Sequence, residues 1–187
     1  MSSSVLRCLL CLSLTHGGLT YLKAAEPLVI VNVQGGLVVQ LGADEAETAA
    51  RLGRTGRYVI HVLDADRTKT QKARKALKTG GIYGLAFAET LIDPAHLPYT
   101  ENVVNVVRLN SLGNTPLTEV LRVLTPRGTL LALSGAGLNA AKLKAAGFDS
   151  ISRTKAGALI ARKPWPKNMD TWSHPRHAAN GNAVSQD

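Results

Sequence analysis

The stretch LVVQLGADEAETAARL, residues 37–52, and the acid Asp64 within YVIHVLDAD decide the fold. An apolar run breaks at Gly42, a helix-like segment follows, and a second apolar run ends in Asp64 about 20 residues after the glycine. This is the layout of a nucleotide-binding βαβ unit, in which the first turn meets the polar end of the ligand and the later acid meets a ribose. Only Gly42 remains of the two or three glycines that such a turn usually carries, and Asp44 and Ala46 stand at the other positions.

Length and composition indicate one ordinary globular domain. The chain has 187 residues, of which 45% are apolar, and this suffices for a single core with some tail left over. The formal charge of +9 is spread thinly, and a solvated helix face accounts for the basic cluster at residues 69–78 as well as a phosphate track does. Aromatic residues make up 4%, too few for a base-stacking platform. We therefore predict no binding of nucleic acid.

Residues 1–25 are typical of a secretory signal peptide. Arg7 is followed by the apolar stretch CLLCLSL and then by small and polar residues. The apolar stretch is too short for a membrane-spanning helix, so we expect export, to the periplasm or the medium, without stable membrane insertion after cleavage. Both cysteines, Cys8 and Cys11, lie in this leader, and the remaining chain would have neither disulfide nor thiol chemistry.

The segments that follow predict an α/β domain over residues 27–163. A β-rich run at residues 27–33 is a leading strand or a short extension. Apolar runs predict seven further strands, at residues 38–41, 58–63, 84–88, 103–109, 129–133, 150–154 and 158–162. Helices are predicted at residues 43–52, 68–78, 117–124 (stopped by TPRG) and 140–146. This alternation predicts a Rossmann-like, mostly parallel seven-stranded sheet with helices on both faces and a C-terminal antiparallel hairpin.

The composition changes in residues 164–187, which hold both tryptophans and show no apolar periodicity. We interpret this segment as a linker or as the start of another domain. His174 and His177 have a spacing that two metal ligands can use, but Pro175 argues against a helix and no third ligand is evident. We therefore predict no metal site.

The order of these segments resembles the class I S-adenosylmethionine-dependent methyltransferases. The resemblance is carried by VVQLGADEA, the acid in HVLDAD, DPAHLPY, LTEVLRVLTPRGTLLAL and the closing GFDSISRTKAGALIARKP, and it covers residues 37–163. It implies S-adenosylmethionine as the cofactor. The residues that it places at the cofactor are Leu41, Gly42, Ala43, Asp44, Asp64, Ala65 and Asp93.

The resemblance also implies a role for each part of this set. Gly42, Asp44 and Ala46 fall on the loop that approaches the methionine part, and Asp64 falls on the acid that bonds the ribose hydroxyls. Asp93 falls on the acid that contacts the adenine amino group, while Leu41 and Ala65 would line the adenosine. Simpler roles stay open, because Gly42 can be a plain strand-to-helix turn, Asp64 a helix cap and Asp93 a turn residue.

Three departures from the family pattern weaken the expectation of binding. Gln40 replaces the acid that usually precedes the first glycine, and Asn105 replaces an acid in the fourth strand. A side chain at Asp44 costs on the order of 1–2 kcal/mol if its φ is positive. Its carboxylate would also repel the ligand's own by up to roughly 4 kcal/mol at about 4 Å. No catalytic motif follows the fourth strand, so the catalytic residues are unknown.

The tail carries a second resemblance. KPWPKNMDTW, followed by His and then GNAV, is similar to the junction in large secreted quinoprotein-like (PQQ-like) β-propeller proteins, some of which carry a methyltransferase-like domain ahead of the propeller. This implies that the chain is the leading portion of such a protein, with a propeller as its partner domain.

Three functions follow as hypotheses. The first is an exported, non-catalytic methyltransferase-like module whose S-adenosylmethionine loop is degenerate. The second is an active methyltransferase of unknown acceptor, which export disfavours because the cofactor is made in the cytoplasm. The third is a plain nucleotide-binding domain, which the absent GxGxxG disfavours.

Overall fold

The computed structural model of the protein describes residues 33–167 and 169, and within them one sheet and four helices. The strands are β1 Gly36–Leu41, β2 Tyr58–Asp64, β3 Ala86–Thr90, β4 Val104–Leu109, β5 Leu124–Ala132, β6 Asp149–Arg153 and β7 Leu159–Arg162. The helices are α1 Ala46–Gly53, α2 Arg67–Thr79, α3 Leu117–Val123 and α4 Ala140–Ala145. The predicted signal peptide, nearly all of the predicted leading strand and most of the 164–187 segment lie outside these residues. In the part of the chain that is described, no helix is long and apolar enough to cross a membrane.

The strands lie in the order β3-β2-β1-β4-β5-β7-β6. The pairs β1–β2, β1–β4, β2–β3 and β4–β5 are parallel, whereas β7 runs antiparallel to both β5 and β6. The prediction of a mostly parallel seven-stranded sheet with an antiparallel C-terminal hairpin is therefore confirmed. The chain crosses from β3 on one side of β1 to β4 on the other, and this reversal opens a crevice at the carboxyl ends of the central strands.

Helices cover both faces of the sheet, as predicted. Successive residues of a strand point to opposite faces, so a strand buried on both sides reads as a continuous apolar run. One core lies between the sheet and α1 and α2, and includes Val38, Ile60, Val62, Ala49, Leu52, Ala73 and Leu77. The other core lies against α3 and α4, and includes Val39, Leu63, Val107, Leu130, Val120, Val123 and Leu143.

The prediction that α1 begins at Ala43 was wrong, because the helix begins at Ala46. Gly42 has a φ of 101°, and the next backbone N–H, that of Ala43, donates to the Asp64 carboxylate at 2.8 Å instead of entering the helix. A hydrogen bond to β2 has therefore replaced the first helical turn. Residues 43–45 form a turn above the carboxyl end of the sheet.

The helix predicted at residues 117–124 is found at Leu117–Val123, but the prediction that the next strand starts at residue 129 was wrong. β5 begins at Leu124, directly after α3, and TPRG forms an irregularity within it. The pairing with β4 shifts from Val104–Leu124 to Val106–Thr129, and Arg127 takes a φ of 62° to accommodate the extra residues. Proline and glycine here mark a bulge in a strand, where they were expected to separate a helix from a strand.

Residues 91–103, which connect β3 to β4, contain no helix. Glu119 of α3 holds this connection, since its Oε1 accepts the Leu97 N–H at 2.7 Å. Arg122 donates to both oxygens of Glu119, at 2.7 and 2.6 Å, and also to the Tyr99 carbonyl at 2.9 Å. One largely buried acid on a short helix therefore fixes the wall of the crevice.

The first testable prediction concerns Glu119→Gln. The Arg122 guanidinium lowers the pKa of Glu119, so its ionised form stabilises the fold above the ordinary carboxyl range, and this stabilisation is lost as the pH falls through the lowered pKa. We expect urea denaturation at pH 7 to show a loss of about 1.5–3 kcal/mol for this variant, the scale of a hydrogen bond to a charged group. The loss should shrink on acidification. Glu47→Gln, on the exposed face of α1, is the control, and equal stability of the two variants would contradict the prediction.

Candidate functional site

A cavity of about 300 Å³ lies at the carboxyl ends of β1, β2 and β4. Its walls are apolar beside β2 and β3 and polar along the loop after β4. The lining residues are Leu41, Gly42, Asp44, Leu63, Asp64, Ala65, Lys69, Leu91, Pro94 and residues 110–115. This position, outside the strand ends where the order reverses, is where open α/β sheets bind ligands. We refer to it as the cleft.

Gly42 forms the floor of the cleft at the end of β1. Its N–H donates to the Leu63 carbonyl at 2.8 Å, which extends the β1–β2 pairing by one residue. A Cβ added at this position would lie 3.5 Å from the Asn110 Cβ, an ordinary contact, so space alone does not require a glycine. The φ of 101° does require one, because side chains of L-residues disfavour that region.

Asp64 joins the turn after β1 to the end of β2. Its Oδ2 accepts the Ala43 N–H and its Oδ1 accepts the Asp66 N–H, each at 2.8 Å. A carboxylate has about four acceptor positions, so two are left for a ligand in the cleft. The helix-capping role that stayed open for Asp64 belongs instead to Asp66, which accepts the Thr68 and Lys69 N–H groups at the start of α2.

Asp44 stands at the rim of the cleft and pairs with Lys69. The Asp44 Oδ2 lies 3.0 Å from the Lys69 Nζ, and this contact raises the pKa of the lysine, which stays charged. The described non-glycine residues with positive φ are Asn102, Arg127 and Ser150, so the backbone strain considered for Asp44 does not arise. The predicted repulsion of a ligand carboxylate is also reduced, because an ammonium group now lies beside the Asp44 charge.

A buried network lies directly beneath this turn. Arg108 of β4 is only 3% exposed, and its Nη1 donates to the Gln40 Oε1 at 3.1 Å and to the Asn110 Oδ1 at 3.0 Å. Its Nη2 forms an ion pair with the Glu45 carboxylate. Gln40 in turn donates to the Gly42 carbonyl at 2.9 Å. The guanidinium group therefore ties the turn to the two central strands.

Sequence reasoning missed both Arg108 and Lys69. Arg108 interrupts the apolar run VVNVVRL, and a charge inside a strand buried on both faces was the signal that could have drawn attention to it. Lys69 was grouped with the basic face of α2, and its position in the first turn after the predicted ribose acid was the available signal.

The remaining predicted site residues are placed as follows. Leu41 and Ala65 line the cleft, while Ala43 is buried and borders a neighbouring hollow between α1 and α2. Asp93 is not among the cleft-lining residues. Its Oδ1 accepts the Ala95 N–H at 2.9 Å and its Oδ2 lies 2.8 Å from the His96 Nδ1, a contact that lowers the pKa of Asp93. As it stands, Asp93 serves as a turn residue.

The described part of the chain contains no cluster of metal-binding side chains. No group of three or more His, Cys, Asp or Glu side chains is placed there to hold an ion. The pair His174 and His177 lies outside the described residues.

Comparison with known proteins supports the fold. The crystal structure of the [4+2]-cyclase SpnF superposes with a TM-score of 0.59 at 17% identity, over 74% of this chain and 80% of that chain. The same fold is found in S-adenosylmethionine-dependent methyltransferases of known structure. A SAM-dependent methyltransferase from Aquifex aeolicus gives 0.56 at 12% identity, over 73% and 88% of the two chains. A protein described as an S-adenosyl-L-methionine-dependent methyltransferase from Methanococcus maripaludis gives 0.58 at 13% identity, over 75% and 84%. No family model matches the sequence, and a search of curated proteins finds no match.

The residues of this methyltransferase-fold cleft fit one end of S-adenosylmethionine. Asp64 has acceptor positions for ribose hydroxyls, and Leu63, Leu91 and Pro94 offer apolar walls. The amino-acid end lacks one acceptor that the resemblance implies for its ammonium. Gln40 stands in place of the implied acid, its oxygen is already bound by Arg108, and the guanidinium offers donors only. The cleft therefore suits the nucleoside better than the methionine arm.

The second testable prediction concerns Asp64→Asn. An amide has one acceptor oxygen, so either the Ala43 N–H or the Asp66 N–H loses its partner, and we expect chemical denaturation to show a loss of about 1–3 kcal/mol. Asp66→Asn is the matched control, because asparagine caps a helix as well as aspartate does. The structural role assigned to Asp64 is wrong if the two variants are equally stable.

Proposed function

We propose that the protein is an exported methyltransferase-fold module that binds S-adenosylmethionine weakly or not at all and does not transfer methyl groups. It would act as a structural or ligand-sensing domain beside a quinoprotein-like propeller in a larger protein. The observation that carries this proposal is the buried Arg108 beneath the loop, paired with Glu45 and bound to the oxygen of Gln40.

The electrostatics of this network oppose the ammonium of the methionine arm. An arm entering between Gly42 and Asn110 would lie one side chain away from the Arg108 guanidinium. A bound ammonium would find Gln40 in place of an acid and would lie near a like charge, and both effects weaken binding. At the end of the cleft that would hold the nucleoside, Asp64 is still available to bind a ribose. Its presence favours a ligand-sensing role over complete loss of the site.

The titratable side chains that line the cleft also favour a non-catalytic role. They are Asp44, Asp64 and Lys69, and each is engaged within the protein: Asp44 with Lys69, and Asp64 with two backbone N–H groups. None is left over as a general base for a weakly nucleophilic acceptor.

An active methyltransferase is the alternative. The spare acceptor positions of Asp64 favour it, since methyl transfer to a good nucleophile needs little beyond correct positioning of the two reactants. The catalytic residues of this alternative are unknown.

The third testable prediction is that calorimetric titration with S-adenosylhomocysteine gives a dissociation constant weaker than about 100 μM, because Gln40 replaces an acid that would pair with the ligand's ammonium. Micromolar affinity would refute the degenerate site and favour the enzyme. Asp44→Gly refines the test, since it removes a carboxylate at the rim that would repel the ligand carboxylate. We expect tighter binding by less than about tenfold, because Lys69 already offsets much of the Asp44 charge.

The control for Asp44→Gly is Glu47→Gln, which changes an exposed acid on α1. It should leave the affinity unchanged. Weaker binding by Asp44→Gly would mean that Asp44 contributes to the site, contrary to the proposal.

Export and the propeller context are supported by the two ends of the sequence. The first 25 residues have the pattern of a cleavable leader, and the closing stretch resembles a propeller junction. Where the structure describes the start of that stretch, the Arg127 guanidinium lies over the Trp165 ring, 5.0 Å from its centroid, and Trp165 is still 43% exposed, as suits a residue that contacts a further domain.

The fourth testable prediction is that the protein, expressed from its full reading frame in an exporting host, is recovered outside the cytoplasm with a new N-terminus after Ala25. The reason is the basic, apolar and small-residue order of the leader. N-terminal sequencing of the exported fraction measures the cleavage site. Retention of the intact chain in the cytoplasm would contradict export.

A further inference from the structure

The ion pair between Glu45 and Arg108 joins two very different environments. Arg108 is 3% exposed and lies at the centre of the sheet, and its Nε has no hydrogen-bond partner within the described residues. The Glu45 side chain is 39% exposed. Burying a guanidinium is costly unless it is well paired, so this cation requires an anion above it. Glu45 can leave at a smaller cost, because its carboxylate would return to water.

The Glu45 side chain is not needed to cap α1. Glu45 occupies the position before α1, with φ −114° and ψ 46°, yet its side chain caps none of the helix N–H groups. A residue at this position usually accepts an N–H of the first turn. The side chain has turned to Arg108 instead, and the start of α1 is left favourable to a second anion.

The guanidinium is linked to the cleft through two cleft-lining residues. Its Nη1 donates to the Asn110 Oδ1 at 3.0 Å. Gln40, its other neutral partner, donates to the Gly42 carbonyl at 2.9 Å. Asn110 and Gly42 both line the cleft, so Arg108 lies one side chain away from it.

We propose that Arg108 is the receptor for a carboxylate carried by the ligand of the cleft, and that Glu45 occupies it as a built-in competitor until the ligand displaces it. The ligand class is a nucleoside whose 5′ arm ends in a carboxylate. A guanidinium pairs with a carboxylate through two parallel hydrogen bonds, and the Glu45 carboxylate is the same chemical group. This inference rests on the proposed function, in which the cleft retains the nucleoside end of its site.

An internal competitor has a measurable consequence. The apparent affinity of a ligand falls in proportion to the fraction of time for which its receptor is free. Removing the Glu45 charge should therefore strengthen binding of nucleosides with a carboxylate arm and give no gain for nucleosides without one. This selectivity separates displacement of Glu45 from a general loosening of the turn.

The fifth testable prediction uses Glu45→Gln in the full chain, titrated calorimetrically with three probes. S-adenosylhomocysteine carries the complete amino-acid arm, S-adenosyl-3-thiopropylamine lacks only the carboxylate, and 5′-methylthioadenosine lacks both charged groups. We expect S-adenosylhomocysteine to bind at least about tenfold more tightly to the variant than to the unmodified protein. The affinity of 5′-methylthioadenosine should change by less than about twofold. S-adenosyl-3-thiopropylamine should show no gain, because its ammonium would lie near a guanidinium that has lost its ion-pair partner.

Arg108→Lys, introduced in the Glu45→Gln background, is the matched control. Lysine keeps the positive charge but loses the two-pronged geometry, so the gain for S-adenosylhomocysteine should largely disappear. Glu45→Asp keeps the charge and shortens the side chain by one methylene. It serves as the second variant if Glu45→Gln does not fold, and should give a smaller gain with the same selectivity.

The outcomes separate the two proposals. If 5′-methylthioadenosine binds neither protein, the nucleoside cleft of the proposed function fails. If it binds both but Glu45→Gln leaves the preference among the three probes unchanged, the proposed function stands and the inference is overturned. An equal gain for all three probes also overturns the inference, because the turn has then only become looser.

Discussion

The hydrogen bonds between the turn after β1 and the end of β2 determine the shape of the cleft. Two successive backbone donors, Gly42 and Ala43, reach across to the Leu63 carbonyl and the Asp64 carboxylate. A strand of a parallel sheet must hand its chain to a helix, and the backbone groups released there need partners. Because β2 supplies them, the turn lies flat over the strand ends and α1 starts three residues late. The position of every cleft-lining group near the loop follows from this arrangement.

The sequence predicted the architecture well because the architecture depends on local patterns. Apolar runs of strand length, helical stretches and glycine breaks specify seven strands, and short connections leave few ways to arrange them. The predicted start of α1 was wrong because Ala43 is a helix-forming residue whose backbone N–H is instead hydrogen-bonded to the Asp64 carboxylate. The predicted start of β5 was wrong because the proline and glycine of TPRG signal only that a regular pattern is interrupted. A bulge within a strand interrupts the pattern as a turn does.

The candidate site was predictable only where it follows the family layout. Gly42 and Asp64 were found because their spacing along the chain carries the signal. Arg108 could not be assigned a role, since its partners Glu45 and Gln40 are 63 and 68 residues away and become neighbours only when β1 pairs with β4. The Asp44–Lys69 pair likewise depends on how α2 packs beside the turn. Charges act through space, and spacing along the chain does not report their distances.

Asp64 and Arg108 both suggest that the cleft binds a ligand, but they are unequal as evidence for it. Asp64 holds the turn in place through two backbone hydrogen bonds, so a protein without any ligand would still benefit from keeping it. Arg108 also ties the turn to the central strands, but an apolar residue of similar volume usually stabilises a core at least as well as a buried ion pair does. A buried cation that leaves its Nε without a partner and depends on a half-exposed acid is therefore more readily understood as part of a binding site than as part of the scaffold. The question of what occupies the cleft consequently depends on Arg108 more than on the acid that the family pattern singles out.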